Sequence, residues 1–146
     1  MVSDEQIQMR AFERHRRERH ATLAEDYCEL IAELIDHAGE ARAVDIARRL
    51  GVSHATVVNT VGRLQRAGYV TSQPYRSVFL TESGRSLASM SKRRHGIVQR
   101  FLEALGVDPV TARSDAEGIE HHVSEATLAA FERFIAERAG PAGTEA

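Results

Sequence analysis

Three residues, Gly51-Val52-Ser53, constrain the fold of this chain more than any other stretch. They separate two segments of helical periodicity. Val44, Ile46, Ala47 and Leu50 recur as the inward face of one helix, and Val57, Val58, Val61 and Leu64 as that of a second, capped by Ser53 and stopped near Gly68. A glycine-containing joint of this length turns the second helix across the first instead of continuing it. The second helix opens with Ser53, His54, Ala55, Thr56 and Asn59, and Arg63 follows a turn later. These side chains are short or can hydrogen-bond: Ala and the Thr methyl can meet a thymine methyl, and Asn can pair with adenine. Residues 69–72 and 78–80 are β-prone runs about a polar turn holding Pro74, the pattern of a hairpin. The expected local fold is a winged helix-turn-helix. An ordinary three-helix bundle with a short second turn would lack the hairpin.

Charge is distributed in the same sense. The net charge of −2 gives no hint of a polyanion partner, but residues 41–100 hold eleven basic side chains against two acidic ones. Residues 21–40 hold six acids and no Lys or Arg, and residues 101–146 nine acids against three Arg. A basic middle between acidic flanks fits a polyanion-binding module joined to a cation-holding one. Arg48, Arg49, Arg63, Arg66 and Arg76 are expected to reach phosphates, Arg76 from the wing.

The remaining elements are helical. Residues 1–20 read as an Arg-rich helix or arm of weak periodicity, and a stripe at Leu23, Tyr27, Leu30, Ile31, Leu34 and Ile35 marks a helix ended by Gly39. Thr81 caps a long helix ending at Gly106, Asp108-Pro109 starts another, Ser114 and Glu117 form a capping box, and Ser124 caps the last. The expected fold class is mainly α. A winged helix-turn-helix domain (22–90) follows an Arg-rich extension (1–21) and precedes a helical metal-binding and dimerisation domain (91–139) and a disordered tail (140–146). No run of about eighteen apolar residues could span a membrane. The polar N-terminus is no secretory signal, and the single cysteine, Cys28, cannot close an internal disulfide. A cytoplasmic location is expected.

The segment Asp115-Ala116-Glu117-Gly118-Ile119-Glu120-His121-His122 carries the chemistry. On a helix Glu117, Glu120 and His121 fall at i, i+3 and i+4, so two carboxylates and an imidazole share one face. With no basic partner nearby, they suit a divalent cation. The plainer reading keeps Glu117 in the capping box and leaves the histidines on a helix surface. Asp26 and Glu29, i and i+3 in the acidic segment, and His95 in the long helix are further candidates. Each also has a plain alternative, as solvated acids or a lone histidine beside Arg93 and Arg94.

Ordered motifs over residues 24–131 tip this balance. They are Glu25-Asp26-Tyr27-Cys28-Glu29-Leu30, Asp45-Ile46-Ala47-Arg48-Arg49-Leu50-Gly51-Val52-Ser53, Tyr75-Arg76-Ser77-Val78-Phe79-Leu80-Thr81 with Gly84, Arg94-His95 before Phe101-Leu102, and Asp115 to Ser124. Together they resemble the metal-dependent repressors of the diphtheria toxin repressor family, more closely its short manganese transport regulator branch. The resemblance implies a two-metal site made by Asp26, Glu29, His95, Glu117, Glu120 and His121, lying between the DNA-binding unit and the dimerisation helices. It further implies Mn2+ as cofactor, two ions per subunit, with Fe2+ as the alternative, and a homodimer that binds palindromic double-stranded operator DNA and represses manganese uptake genes. Metal binding would lock that dimer in its operator-binding geometry. No SH3-like third domain, as longer members have, is expected, and the Arg-rich extension departs from the shortest members.

The donors are hard or borderline oxygen and nitrogen atoms with no thiolate. The iron-responsive branch carries a cysteine where this chain has Glu120, which favours manganese. Cys28, between Asp26 and Glu29, is expected to face away as a small buried residue. Three rivals remain: the same fold answering iron or a broader set of metals, a winged-helix regulator of an organic effector, and a carboxylate-bridged metalloenzyme. The last would draw E-x-x-H pairs from a four-helix bundle, whereas a wing and a basic reading helix stand here, so no enzymatic activity is expected.

Overall fold

A computed structural model describes residues 1–73 and 76–139. In chain order the elements are α1 (Asp4–Ala38), α2 (Ala43–Leu50), α3 (His54–Arg66), β1 (Val70–Thr71), β2 (Phe79–Leu80), α4 (Glu82–Ala104), α5 (Pro109–Ile119), a 3-10 turn (Glu120–His122) and α6 (Glu125–Ala139). Pro74 and Tyr75, placed by the sequence at the hairpin turn, lie outside the described residues, as does the 140–146 tail. The chain forms two compact units, Met1–Met90 and Ser91–Ala146.

In the first unit α1 runs unbroken for 35 residues, so the Arg-rich extension and the first core helix are one element. Nothing between His20 and Leu23 breaks a helix, and a Ser3–Gln6 capping box starts it. Its far end packs Tyr27, Cys28, Leu30 and Ile31 against Ile46 and Ala47 of α2, Val57, Val61 and Leu64 of α3, and Val70, Val78 and Leu80 of the hairpin. Leu23, Val44 and Val58, which periodicity points inward, are exposed instead. Gly39 and Gly51 end α1 and α2 at φ +78° and +68°, the left-handed region where a side chain is strained.

The hairpin is antiparallel, with Val70 opposite Leu80 and Thr71 opposite Phe79. Val78 donates its N–H to the Ala41 carbonyl, adding a bridge on its other edge. Ser77 donates to Glu40 Oε2 at 2.8 Å, tying the hairpin to the segment that joins α1 and α2. Thr81 links hairpin to helix: its hydroxyl donates to the Gly68 carbonyl at 2.6 Å and accepts from the Gly84 N–H at 3.2 Å. Gly84 is required there, because a Cβ would lie 2.1 Å from the Tyr69 carbonyl oxygen.

In the second unit Ile97, Val98, Ala116 and Leu128 form a small core with Leu102, Val123 and Phe131 against it. Phe101 stacks on Phe131 at 3.9 Å and meets Phe134 edge-on at 5.4 Å. Asp108 caps α5 by accepting from the Thr111 N–H at 3.0 Å; hydrogen bonds from the Thr111 side chain and backbone hold its carboxyl below the usual value. Ser124 caps α6 in the same manner. The capping box expected at Ser114 and Glu117 is not formed, because α5 passes straight through Ser114. The buried Ala112 and Ala116, four residues apart, carry the helix across that point, which leaves Glu117 free of a capping role.

Candidate functional site

α3 buries Val57, Thr60, Val61 and Leu64, at i, i+3, i+4 and i+7. The opposite side therefore presents Ala55 and Asn59 outward. Ser53, His54, Ala55, Thr56, Asn59, Arg63 and Arg76 are all exposed. Ser53 Oγ accepts from the Thr56 N–H at 3.1 Å and contacts the Thr56 hydroxyl at 2.9 Å, so the cap orders the start of the helix. Between α3 and the hairpin lies an open groove of about 970 Å3, with His54, Val58, Gly62 and Gln65 on one side and Arg76 and Phe79 on the other. Arg48 and Arg49, also expected at phosphates, are engaged with Asp45 at 3.4 Å and Glu33 at 3.2 Å. Both pairs are solvent-exposed and weak enough to yield to a phosphate.

The second unit gathers chemistry-bearing groups from three elements. His95 comes from α4, Glu117 from the last turn of α5 and Glu120 from the 3-10 turn; one ligand atom of each lies within 4.8 Å of the others. His95 Nδ1 is buried, makes no hydrogen bond and stands 3.4 Å from Glu117 Oε1. Glu120 is 1% exposed, with His121 Nε2 3.5 Å from its Oε1. The tightening from α-helix to 3-10 turn at Glu120 means that Glu117, Glu120 and His121 do not sit on one uniform helix face. Asp26 and Glu29 stand three residues apart on α1 in the first unit, both half-buried.

Family models match both units. Residues 21–78 match the N-terminal DNA-binding domain of iron-dependent repressors, and residues 81–139 match their metal-binding and dimerisation domain.

The chain belongs to the iron-dependent repressor family.

Within this repressor family it lies on the MntR branch. It is 55% identical over 122 residues to the transcriptional regulator MntR of Escherichia coli O6:H1, covering 84% of this chain and 76% of that one. It is 54% identical over 122 residues to the MntR of Salmonella typhimurium, at 84% and 75% coverage. Among solved structures, a manganese-dependent transcriptional repressor in complex with manganese aligns with a TM-score of 0.69 at 31% identity, over 81% of this chain and 53% of that one. The manganese regulator SloR aligns at 0.68 and 28%, over 77% and 53%. The chain thus spans about half the length of these two solved structures. The relatives are transcriptional regulators, and this repressor-family chain is a DNA-binding regulator and not an enzyme. Among the described residues no helix is long and apolar enough to cross a membrane.

A metal-binding domain implies an ion, and the residues fit one. Imidazole nitrogen and carboxylate oxygen suit a divalent cation of hard or borderline character. The buried His95 Nδ1 without a hydrogen bond is the kind of atom such an ion would engage. Two carboxylates held this close repel each other, which a bound cation offsets. Solvent lowers this for Glu117, whose side chain is 58% exposed.

The contacts of one residue near the cluster escaped the sequence reading. Arg94 Nη2 donates to the Glu120 carbonyl at 2.7 Å and the Val123 carbonyl at 3.1 Å. The expectation that no basic side chain stands nearby is therefore corrected, although these contacts are to backbone carbonyls. Its partners lie 26 and 29 residues away, so no local pattern announced them; adjacency to His95 was the only signal.

Proposed function

We propose that this chain is a manganese-responsive regulator that binds palindromic operator DNA as a homodimer in the cytoplasm and represses manganese uptake genes. The observation that carries the reading is the convergence of His95, Glu117 and Glu120, with His121 beside Glu120. In this reading His95, Glu117, Glu120 and His121 bind Mn2+, and Asp26 and Glu29 of α1 complete a two-ion set, as the sequence resemblance implies. A bound divalent ion supplies positive charge that offsets the carboxylates. With the ligand set that the resemblance implies, occupancy would narrow the spacing of the two recognition helices in a dimer. A palindrome requires that spacing to be about 34 Å or a multiple of it. A hundredfold regulatory range needs only about 2.7 kcal/mol of such coupling.

Ser53, His54, Ala55, Thr56 and Asn59 would read base edges, while Arg63 and Arg76 hold phosphates. Manganese is favoured by the likeness to manganese regulators and by a ligand set without thiolate. Zinc, which binds such donors more tightly, must then be excluded by geometry and availability.

The test is operator binding by fluorescence anisotropy at fixed salt with Mn2+, Fe2+, Zn2+ or chelator. The expected order is tight binding with Mn2+, at least tenfold weaker with chelator, and no comparable gain with Zn2+. Equal binding in chelator would remove the sensor, and a preference for Fe2+ would move the chain to iron sensing.

A further inference from the structure

We propose that Arg94 is a positioning residue for the metal centre: its guanidinium fixes the 3-10 turn that carries Glu120 and His121. The inference rests on the metal-responsive reading above.

The backbone around the turn receives a donor from outside it. α5 ends at Ile119, the turn runs only to His122, and Val123 is extended at φ −105°, ψ 142°. Carbonyls at a helix end have no following turn to supply N–H groups. Arg94 Nη2 donates to two carbonyls of this segment, Glu120 O and Val123 O, which span the residues that bear the ligand atoms. The planar guanidinium holds its donors in a rigid fork, which an ammonium on a flexible stem does not reproduce.

Arg94 and His95 are consecutive on α4, so one stretch of backbone fixes both the clamp and a ligand facing the clamped turn. The Glu120 side chain is 1% exposed and that of His121 5%, so neither can find its position by sampling solvent. Groups that orient metal ligands in this manner are worth about 10–100-fold in affinity.

The sign of the effect separates positioning from charge. A cation beside a divalent-ion site opposes binding, so if Arg94 acted by charge alone, its removal would tighten Mn2+. If it positions the turn, removal loosens Mn2+.

The experiment uses the full chain and the variants R94M and R94K. Mn2+ binding is followed by the electron paramagnetic resonance signal of the free ion, and metal-free hydrogen exchange is measured across residues 120–124. Both variants are expected to bind Mn2+ about tenfold or more weakly, with faster exchange confined to that segment and unchanged exchange in α3. Should R94M fail to fold, R94K, which keeps charge and stem, decides. Wild-type-like or tighter Mn2+ binding by the folded variants overturns this inference alone. Absence of Mn2+ binding by the wild-type chain overturns the metal reading and this inference with it.

Discussion

Cys28 is fully buried, and burial pushes its thiol up to about 11 from an ordinary 9.0. Almost none is thiolate at neutral pH, and the thiolate is the nucleophile. Native protein should therefore resist iodoacetamide at pH 7.5, whereas denatured protein is alkylated stoichiometrically; comparable native labelling would contradict the burial. A thiol value raised by folding favours the folded state below pH 9.0, and this contribution is lost as pH rises through about 11. The burial of Cys28 was legible, because the stripe of Tyr27, Leu30 and Ile31 places it at the core. The exposure of Val44 and Val58 was not: helical periodicity counts them inward, yet they line the groove between α3 and the hairpin. An apolar residue on a binding face looks the same in sequence as one in a core.

Gly84 and Asn59 make predictions for whole elements. Replacing Gly84 with Ala gains up to about 1 kcal/mol of helix propensity, but its methyl would meet a Tyr69 carbonyl already held by the Thr81 N–H at 3.0 Å. The clash should win, with a net loss of about 1–3 kcal/mol in denaturant unfolding; unchanged stability would mean that the hairpin and α4 are not so closely joined. Asn59→Ala should weaken operator binding by about 1–3 kcal/mol and relax preference at one base pair. Arg76→Ala should weaken all sequences alike and reduce the salt slope by about 1. Element starts were legible where a local cap exists, as at Ser53, Thr81, Asp108 and Ser124. The Ser114–Glu117 pattern misled because a capping box can be read in any helix interior, and here the buried Ala112 and Ala116 decide. The 3-10 turn at Glu120 meets Arg94, 26 residues away in the chain, and had no local signature.

At the scale of the whole molecule, the proposed metal centre governs DNA binding. Composition alone hid this, since the opposed charges of the segments cancel to −2. Their order along the chain, a basic middle between acidic flanks, fits a polyanion-binding module joined to a cation-holding one, and the family resemblance carried the metal reading. Glu117 offers the cleanest intervention. Its side chain is 58% exposed and makes no cap, so removing it should change metal-free stability by no more than about 0.5 kcal/mol. The most direct measurement is operator affinity of Glu117→Ala against the wild type across a Mn2+ titration at fixed salt. The variant should stay at the affinity of the metal-free wild type throughout. A variant whose affinity rises with Mn2+ as the wild type's does would contradict it.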